Sequence, residues 1–359
     1  MNKLIRICMG FLLLVQMDGM AQTQRMNAVD ANNYGVAYSL PKTSFVVSFD
    51  IRKTVYKRGD FYLYAQRYLG VENPVTENHE VYTLENVRIV NKGIPDKEKS
   101  FLVSFRPNTF SPYVYLTEDG LICSINAEPE LTAKESFSFP ETKENKINAR
   151  QFFSQETLMA GSAAKQAELV SKQIFDLRRS RNDILTGEAE NMPPDGAAYK
   201  LVMEQINEQE KALTEMFSGS ESTEYLTKEI TVVPDGSDID NRVVARFSGK
   251  LGLVDADNLA GEPIYFSLIG KTPKAESAPL SDKERERLEK KFSEGIVYNI
   301  PVKALLSIKL NNKILKSVET DVVQYGVQDV LVKKMFDNMK QPIKVLFYPE
   351  LGAIKQIIQ

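Results

Sequence analysis

Apolar and polar residues alternate with a period of two along much of the chain, the pattern of strands with one buried face. The clearest run places Phe45, Val47, Phe49 and Ile51 between mostly polar neighbours up to Arg52. Further strand-like runs in this region are Glu80–Val90, Phe101–Phe105, Tyr113–Thr117 and Leu121–Ile125. The turn signals between them are Lys92-Gly93, Arg106-Pro107-Asn108 and Glu118-Asp119-Gly120. Turns this close in sequence predict antiparallel pairing.

The period changes to a heptad spacing after residue 160, which predicts a long helix. Its repeating positions are Ala163, Ala167, Val170, Ile174, Leu177, Arg181 and Ile184. A second helix follows Pro193 and Pro194, with Asp195 as its expected N-cap and Gly219 at its end. Its repeating positions are Val202, Ile206, Gln209, Leu213 and Met216. We expect an antiparallel helical hairpin with a narrow seam, which protrudes from the β-structure or lies along it.

Strand patterns return after residue 220 and predict a second β-region. They cover Glu224–Val233, Arg242–Phe247, Ile264–Ile269, Ile296–Ile300, Ala304–Leu310, Ile314–Gln324 and Ile343–Tyr348. Lys271–Ser281 contains two prolines and is predicted to be a mobile surface loop. A capping box from Ser281 to Glu284 then predicts a short charged helix through Phe292.

One more short helix is predicted in the first β-region, where Asp60 can cap Phe61–Leu69 and Gly70 can end it. The predicted fold is therefore mainly β with α, as two antiparallel β-sandwich-like domains separated by an antiparallel helical hairpin. The predicted divisions are a signal peptide over 1–21, a flexible leader over 22–35, an N-terminal β-domain over 36–145, the helical hairpin over 146–219 and a C-terminal β-domain over 220–359.

The N-terminus has the three parts of a cleavable signal peptide. Lys3 and Arg6 are positively charged, and the apolar run Ile7–Val15 is too short to span a bilayer. Gly19-Met20-Ala21 places small residues at the positions that signal peptidase accepts, so the mature chain is expected to begin at Gln22. The alternative is a buried N-terminal helix. Export to the periplasm, the outer membrane or the exterior is the prediction.

Composition limits what the exported chain can be. Cys8 lacks the small and apolar residues that precede a lipidated cysteine, and Cys123 alone cannot form an intramolecular disulfide. The formal net charge is −3, and basic residues are interspersed with acids, which argues against nucleic acid as a partner. No second apolar segment is long enough to be a transmembrane segment of the mature chain.

Few residues point to catalysis or metal binding. His79 is the only histidine, which excludes multi-histidine zinc sites, and we expect it to be an exposed surface residue. Asp235, Asp238 and Asp240 could gather around calcium, but glycine and aspartate also form ordinary turns, and Asp255-Ala256-Asp257 has the same ambiguity. We predict no cofactor, no metal and no catalytic residue.

Acidic residues and tyrosines leave a hydrolase possible in principle. The chain has 48 acids, of which any suitably spaced pair could hydrolyse a glycosidic bond. Four tyrosines could stack on sugars or simply pack in the interior, namely Tyr56, Tyr62, Tyr64 and Tyr68.

The first long helix carries three arginines, Arg178, Arg179 and Arg181, which point in different directions. Arg181 falls on the seam, where an unpaired charge is costly, so we predict an acidic or backbone-carbonyl partner from the turn, such as Glu188 or Glu190. Arg178, Arg181, Glu188 and Glu190 therefore form the predicted interaction or structural polar site.

Several segments together resemble a domain-of-unknown-function family of exported envelope proteins from Gram-negative Bacteroidetes. They are Tyr38–Pro41, Tyr56–Gly59, Tyr64–Gly70, Leu185–Glu188, Met192–Gly196 and Gly252–Asp255. The resemblance implies an envelope or secreted location and a β, helical-hairpin, β order, with no catalytic residues.

The expected function is a non-enzymatic envelope scaffold whose hairpin contacts an envelope protein or a glycan. The alternatives are a polysaccharide-acting hydrolase that uses paired carboxylates and a calcium-stabilised adhesin module.

Overall fold

The computed structural model describes residues 28–29, 36–103, 113–129, 147–193, 196–271, 281–293, 295–336 and 343–358. The predicted signal peptide, the Asp195 cap and the interior of the Lys271–Ser281 loop lie outside the described residues, as does most of the predicted leader.

The described residues form strands and helices in the predicted order. The strands are β1 (Ala28–Val29), β2 (Val36–Lys57), β3 (His79–Val103), β4 (Val114–Leu116), β5 (Ile122–Ile125), β6 (Ser220–Val232), β7 (Ile239–Ser248), β8 (Gly252–Val254), β9 (Glu262–Gly270), β10 (Gly295–Leu310), β11 (Lys313–Val332), β12 (Lys344–Tyr348) and β13 (Ala353–Ile358). The helices are α1 (Ala65–Leu69), α2 (Gln155–Met159), α3 (Ala163–Thr186), α4 (Ala197–Ser218) and α5 (Asp282–Ser293).

The strands pair in three antiparallel sheets, with the orders β3-β2-β6, β11-β10-β9-β7-β8 and β1-β4-β5-β12-β13. The first core lies between the first two sheets and contains Phe45, Phe49, Phe266 and Leu306. The second core lies where the other ends of the long strands meet the third sheet, around Tyr38, Ile122, Ile296 and Phe347. The predicted class, mainly antiparallel β with some α, is confirmed.

β2 and β10 each contribute to both cores, because each strand is long enough to cross from one to the other. β6 pairs with β2, and β12 pairs with β5, so the sheets join strands from both ends of the chain. The division into β-domains over 36–145 and 220–359 stays a prediction.

The turn predicted at Lys92-Gly93 is wrong, because β3 runs through it without a break. Gly93 pairs with Thr43 inside the strand, and the backbone of Glu350 lies directly over it. A side chain at position 93 would collide with that backbone, so a glycine here allows β3 and the segment at Glu350 to pass close to each other. The predicted turn at Glu118–Gly120 is present between β4 and β5, with Gly120 at a positive φ of 78°.

Two of the three predicted N-caps, Asp60 and Ser281, lie among the described residues. Asp60 does not cap α1: its carboxylate accepts a 3.0 Å hydrogen bond from Arg150 Nη2, and the helical segment starts with a 3-10 turn over Tyr62–Tyr64. Gly70 does end α1, at a φ of 68°. One half of the predicted capping box is present, since the Ser281 amide donates to Glu284 Oε2 at 2.9 Å, whereas the Glu284 amide donates to the Ser281 carbonyl and not to its hydroxyl.

Candidate functional site

The helical hairpin is anchored at its base by a third hydrophobic core. Its central residues are Phe61, Ala65, Ala167, Val170, Ile174, Leu213, Met216 and Phe217. The Phe61 amide donates to the Met216 carbonyl at 2.7 Å, and Gly59 passes so close that a Cβ there would overlap with the same carbonyl. Burial of this many apolar side chains fixes the base of the hairpin against the β-structure.

The predicted heptad seam is present in α3 and only partly present in α4. Val170, Ile174 and Leu213 are fully buried, whereas Val202, which was predicted on the seam, is 36 % exposed. The physical reason is the rotation of α4, whose packed stripe runs through Ile206, Glu210 and Leu213 and leaves Val202 to one side, whereas Ile184 of α3 is only 9 % exposed near the tip.

A charge cluster closes the middle of the seam. Arg178 Nε donates to Glu210 Oε1 at 2.6 Å, and Arg181 Nη1 donates to Glu210 Oε2 and to Asn207 Oδ1. Glu210 is only 13 % exposed, so it is a largely desolvated anion between two cations. The predicted ion pair of Arg181 is therefore present. Arg179 instead faces Asp176 on the exposed side, at 3.6 Å.

The predicted partners of Arg181, Glu188 and Glu190, are wrong. In an antiparallel pair, position 181 lies opposite positions 207–210 of the second helix, and the turn acids lie beyond it and are exposed. Sequence reasoning missed Glu210 because the predicted stripe passed through Gln209. The stripe Ile206, Glu210, Leu213 and Phe217 has equally good helical spacing and was the available signal.

A shallow groove of about 600 Å³ lies along the outer side of the hairpin near its tip. Leu185, Tyr199 and Met203 supply its apolar surface. Its polar lining residues are Lys200, Glu204, Asn207, Glu208 and Lys211. Leu185 and Leu201 are each 60 % exposed, and Met192 in the turn is 49 % exposed. The tip thus presents apolar side chains to solvent beside charges of both signs.

The other predicted chemical residues are not assembled into one site. His79 is exposed and stacks on Tyr56, with ring centroids 4.7 Å apart. Asp235 Oδ1 accepts from the Ser237 amide at 2.9 Å and holds a local turn, and Asp238 Oδ1 accepts from the Gly270 amide at 3.0 Å and links this loop to the end of β9. Within the described ranges, no group of three or more His, Cys, Asp or Glu residues is placed to hold a metal ion.

The remaining tyrosines and Cys123 have structural surroundings. Tyr64 and Tyr68 pack against the hairpin core, and Arg58 lies over the Tyr62 ring at 4.9 Å. Burial raises the pKa of the half-buried Cys123 thiol, and the negative charge of Glu350 acts in the same direction. The thiolate is therefore disfavoured, which argues against a nucleophilic role.

Glu80 and Glu224 both lie around Lys53 on the sheet β3-β2-β6. Lys53 Nζ lies 2.9 Å from Glu80 Oε1 and 4.0 Å from Glu224 Oε2, and Tyr82 donates to Glu80 at 2.7 Å. Hydrogen bonds from Lys53 and Tyr82 lower the pKa of Glu80. A general acid in glycoside hydrolysis needs the opposite shift.

A comparison with known protein families identifies the family of this chain. Residues 34–355 match the family model described as "Domain of unknown function (DUF4831)". The chain belongs to this family. No curated protein and no solved structure matches the DUF4831 chain. Among the described helices of this DUF4831 protein, none combines the length and apolar character needed to cross a bilayer. Its function must therefore be argued from its own surfaces.

Proposed function

We propose that this DUF4831 protein is an exported, non-enzymatic binding protein of a Bacteroidetes cell envelope, and that the tip of its helical hairpin contacts a protein partner. The observation that carries the proposal is the contrast along the hairpin. The base is locked into a core around Phe61 and Phe217, whereas the groove near the tip is lined by the exposed Leu185 and the half-buried Tyr199 and Met203.

A rigid base and an exposed apolar groove suit recognition of another helix or an extended peptide. Ordering of a flexible surface weakens binding, and the hairpin avoids that loss because its base is already packed. The charge cluster of Arg178, Arg181 and Glu210 further fixes the two helices relative to each other. The rim carries Lys200 and Lys211 beside Glu204 and Glu208, which favours a partner with charges of both signs around an apolar anchor.

The export part of the proposal rests on the N-terminal sequence, with its charged start, short apolar run and Gly19–Ala21 cleavage signal. A periplasmic or surface location would bring the hairpin tip into contact with other envelope proteins. Fractionation of the native cells tests this part: the protein should appear in the envelope or medium without residues 1–21. An uncleaved cytoplasmic protein would contradict it.

The binding part is tested by quantitative affinity purification of the mature protein from native envelopes. Leu185→Glu and Met203→Glu place charges in the groove, and Leu259→Glu is the matched control, because Leu259 is 81 % exposed in the β8–β9 turn. We expect both groove variants to lose a partner that the wild type and the control retain. Equal recovery of every partner by all four proteins would reject the hairpin as the contact site.

The rival function is polysaccharide hydrolysis, and the approach of Glu80 and Glu224 around Lys53 is the observation in its favour. Both side chains are about half exposed, at 43 % and 54 %, so water is not excluded from between them. Release of reducing sugar from cell-wall or storage polysaccharides, abolished by Glu80→Gln and by Glu224→Gln, would establish this rival.

A further inference from the structure

The turn between β12 and β13, residues 349–352, lies at the boundary between the first and second cores. β2 crosses this boundary between Leu40, which belongs to the second core, and Phe45, which belongs to the first. β10 crosses it between Val297 of the second core and Ala304 of the first. Contacts of the β12–β13 turn with these stretches of β2 and β10 therefore link the two cores.

Asn299 of β10 binds the β12–β13 turn and β2 at the same time. Its backbone amide donates to the Gly352 carbonyl at 2.9 Å. Its side-chain Nδ2 donates to the Leu351 carbonyl at 2.9 Å and to the Pro41 carbonyl at 3.3 Å. Asn299 is only 2 % exposed, so separation of the turn from β10 leaves buried polar groups without their partners.

Two glycines allow the β12–β13 turn to pass this close to the long strands. A Cβ at Gly93 of β3 would lie 2.6 Å from Glu350 Cα. Gly352 has a φ of 61°, and a Cβ there would lie 2.6 Å from Pro41 Cδ. These distances are too short for any side chain, so the turn packs directly on β3 and β2.

The β12–β13 turn also packs on β11, which crosses the same boundary. Leu351 forms a small buried cluster with Val323 of β11 and Ala353 of β13. The Val323 amide donates to Thr43 Oγ1 of β2 at 3.0 Å, and Gln324 Nε2 donates to the Thr43 carbonyl at 2.8 Å. The turn is thus joined to four strands, β2, β3, β10 and β11.

We infer that the β12–β13 turn couples the two cores, so that the β-structure of this protein opens as one cooperative unit. β12 and β13 belong to the third sheet, and opening of the second core removes them from it. That movement also takes away the partners of Asn299 and the packing over Gly93, which lie on strands that form the first core as well. Loss of these contacts destabilises both cores together. The inference holds whether or not the helical hairpin binds a partner.

Native-state amide hydrogen exchange of the full mature protein in low concentrations of urea tests the coupling. β9 reports on the first core, and β12 reports on the second. In the wild type, both strands should exchange through the same opening, with the same dependence on urea. Asn299→Ala removes two side-chain hydrogen bonds, so exchange in β12 should become about tenfold faster relative to β9. A general loss of stability would instead accelerate both strands and leave their ratio unchanged.

Leu351→Ala is a second variant, which removes the packing of the turn on Val323 without touching Asn299 and should raise the same ratio. Asn312→Ala is the matched control, because Asn312 is exposed in the turn after β10, and it should leave the ratio unchanged. The inference is overturned if β9 and β12 of the wild type open with different dependences on urea, or if neither variant changes the ratio. It is also overturned if Asn312→Ala changes the ratio as much as Asn299→Ala does.

Discussion

Arg88 holds the buried carboxylate of Asp50 through two hydrogen bonds, from Nε at 2.9 Å and from Nη2 at 2.6 Å. Asp50 alternates with Phe45, Val47 and Phe49 of β2, whose side chains belong to the first core. Arg88 itself is 31 % exposed, so the pair links a buried carboxylate to a guanidinium group at the surface of the sheet.

We predict that Asp50→Asn lowers the free energy of unfolding by about 3 kcal/mol, because it leaves the Arg88 charge without its buried partner. Glu85→Gln breaks the exposed pair with Arg52 on the same sheet, and should cost about 0.5 kcal/mol or less. Urea unfolding measures both. Equal losses for the two variants would show that burial does not decide the strength of the Asp50 pair.

The same pair predicts a dependence on pH. Burial alone would raise the pKa of Asp50, but the hydrogen bonds from Arg88 and Thr227 outweigh it and hold that pKa below its ordinary value. A lowered folded-state pKa contributes stability above the unfolded-state pKa of about 3.9, and this is lost as the pH falls toward the folded-state value. The stability difference between the wild type and Asp50→Asn should therefore be constant near neutral pH and shrink in acid. A difference that does not change down to strong acid would contradict this.

Glu210 is the acid that we expect to matter in the hairpin. Glu210→Gln leaves Arg178 and Arg181 without their shared carboxylate and should destabilise the hairpin by about 2 kcal/mol. Glu188→Gln is the control, because Glu188 is exposed in the turn, and should change stability by less than about 0.5 kcal/mol. Amide hydrogen exchange across α3 and α4 detects the local effect. Faster exchange in Glu188→Gln than in Glu210→Gln would reverse the assignment.

Gly59 tests how the base of the hairpin is anchored. Gly59→Ala forces a methyl group onto the Met216 carbonyl, and we expect a loss of about 1 to 3 kcal/mol from the displaced backbone. Gly161→Ala is matched to it, since a Cβ at Gly161 meets nothing within 4 Å. Thermal unfolding should show a lower melting temperature for the first variant alone. Unchanged melting of Gly59→Ala would mean that the helix can shift freely at this contact.

Local patterns in the sequence were sufficient for most elements. Period-two alternation located the strand around Phe45–Ile51, and heptad spacing located both helices of the hairpin, because each pattern records which face is buried. The same reasoning placed a turn at Lys92-Gly93, where glycine instead allows Glu350 to pass close by. That contact joins residues far apart in the chain, and no local pattern records it.

The ion pairs of Arg181 and Asp50 could be predicted only in part, because a local pattern does not record contacts between separate segments. Arg181 could be placed on the seam from its own helix, but its partner depends on the register between two helices, which single-helix spacing does not specify. Asp50 belongs to the polar side of its strand by alternation, but its partners Arg88 and Thr227 come from the two neighbouring strands, which alternation does not identify. The sheet β3-β2-β6 likewise depends on a long-range pairing, because β6 follows the hairpin and then pairs with β2.

The most direct test of the proposed function is site-specific photocrosslinking in living cells of the native species. A photoreactive residue at Met203 lies in the groove, and the same residue at Leu259 reports a more exposed surface in the β8–β9 turn. The account predicts a discrete envelope-protein adduct from position 203, absent from position 259 and abolished by Leu185→Glu. No adduct from position 203, or the same adduct from both positions, would contradict it.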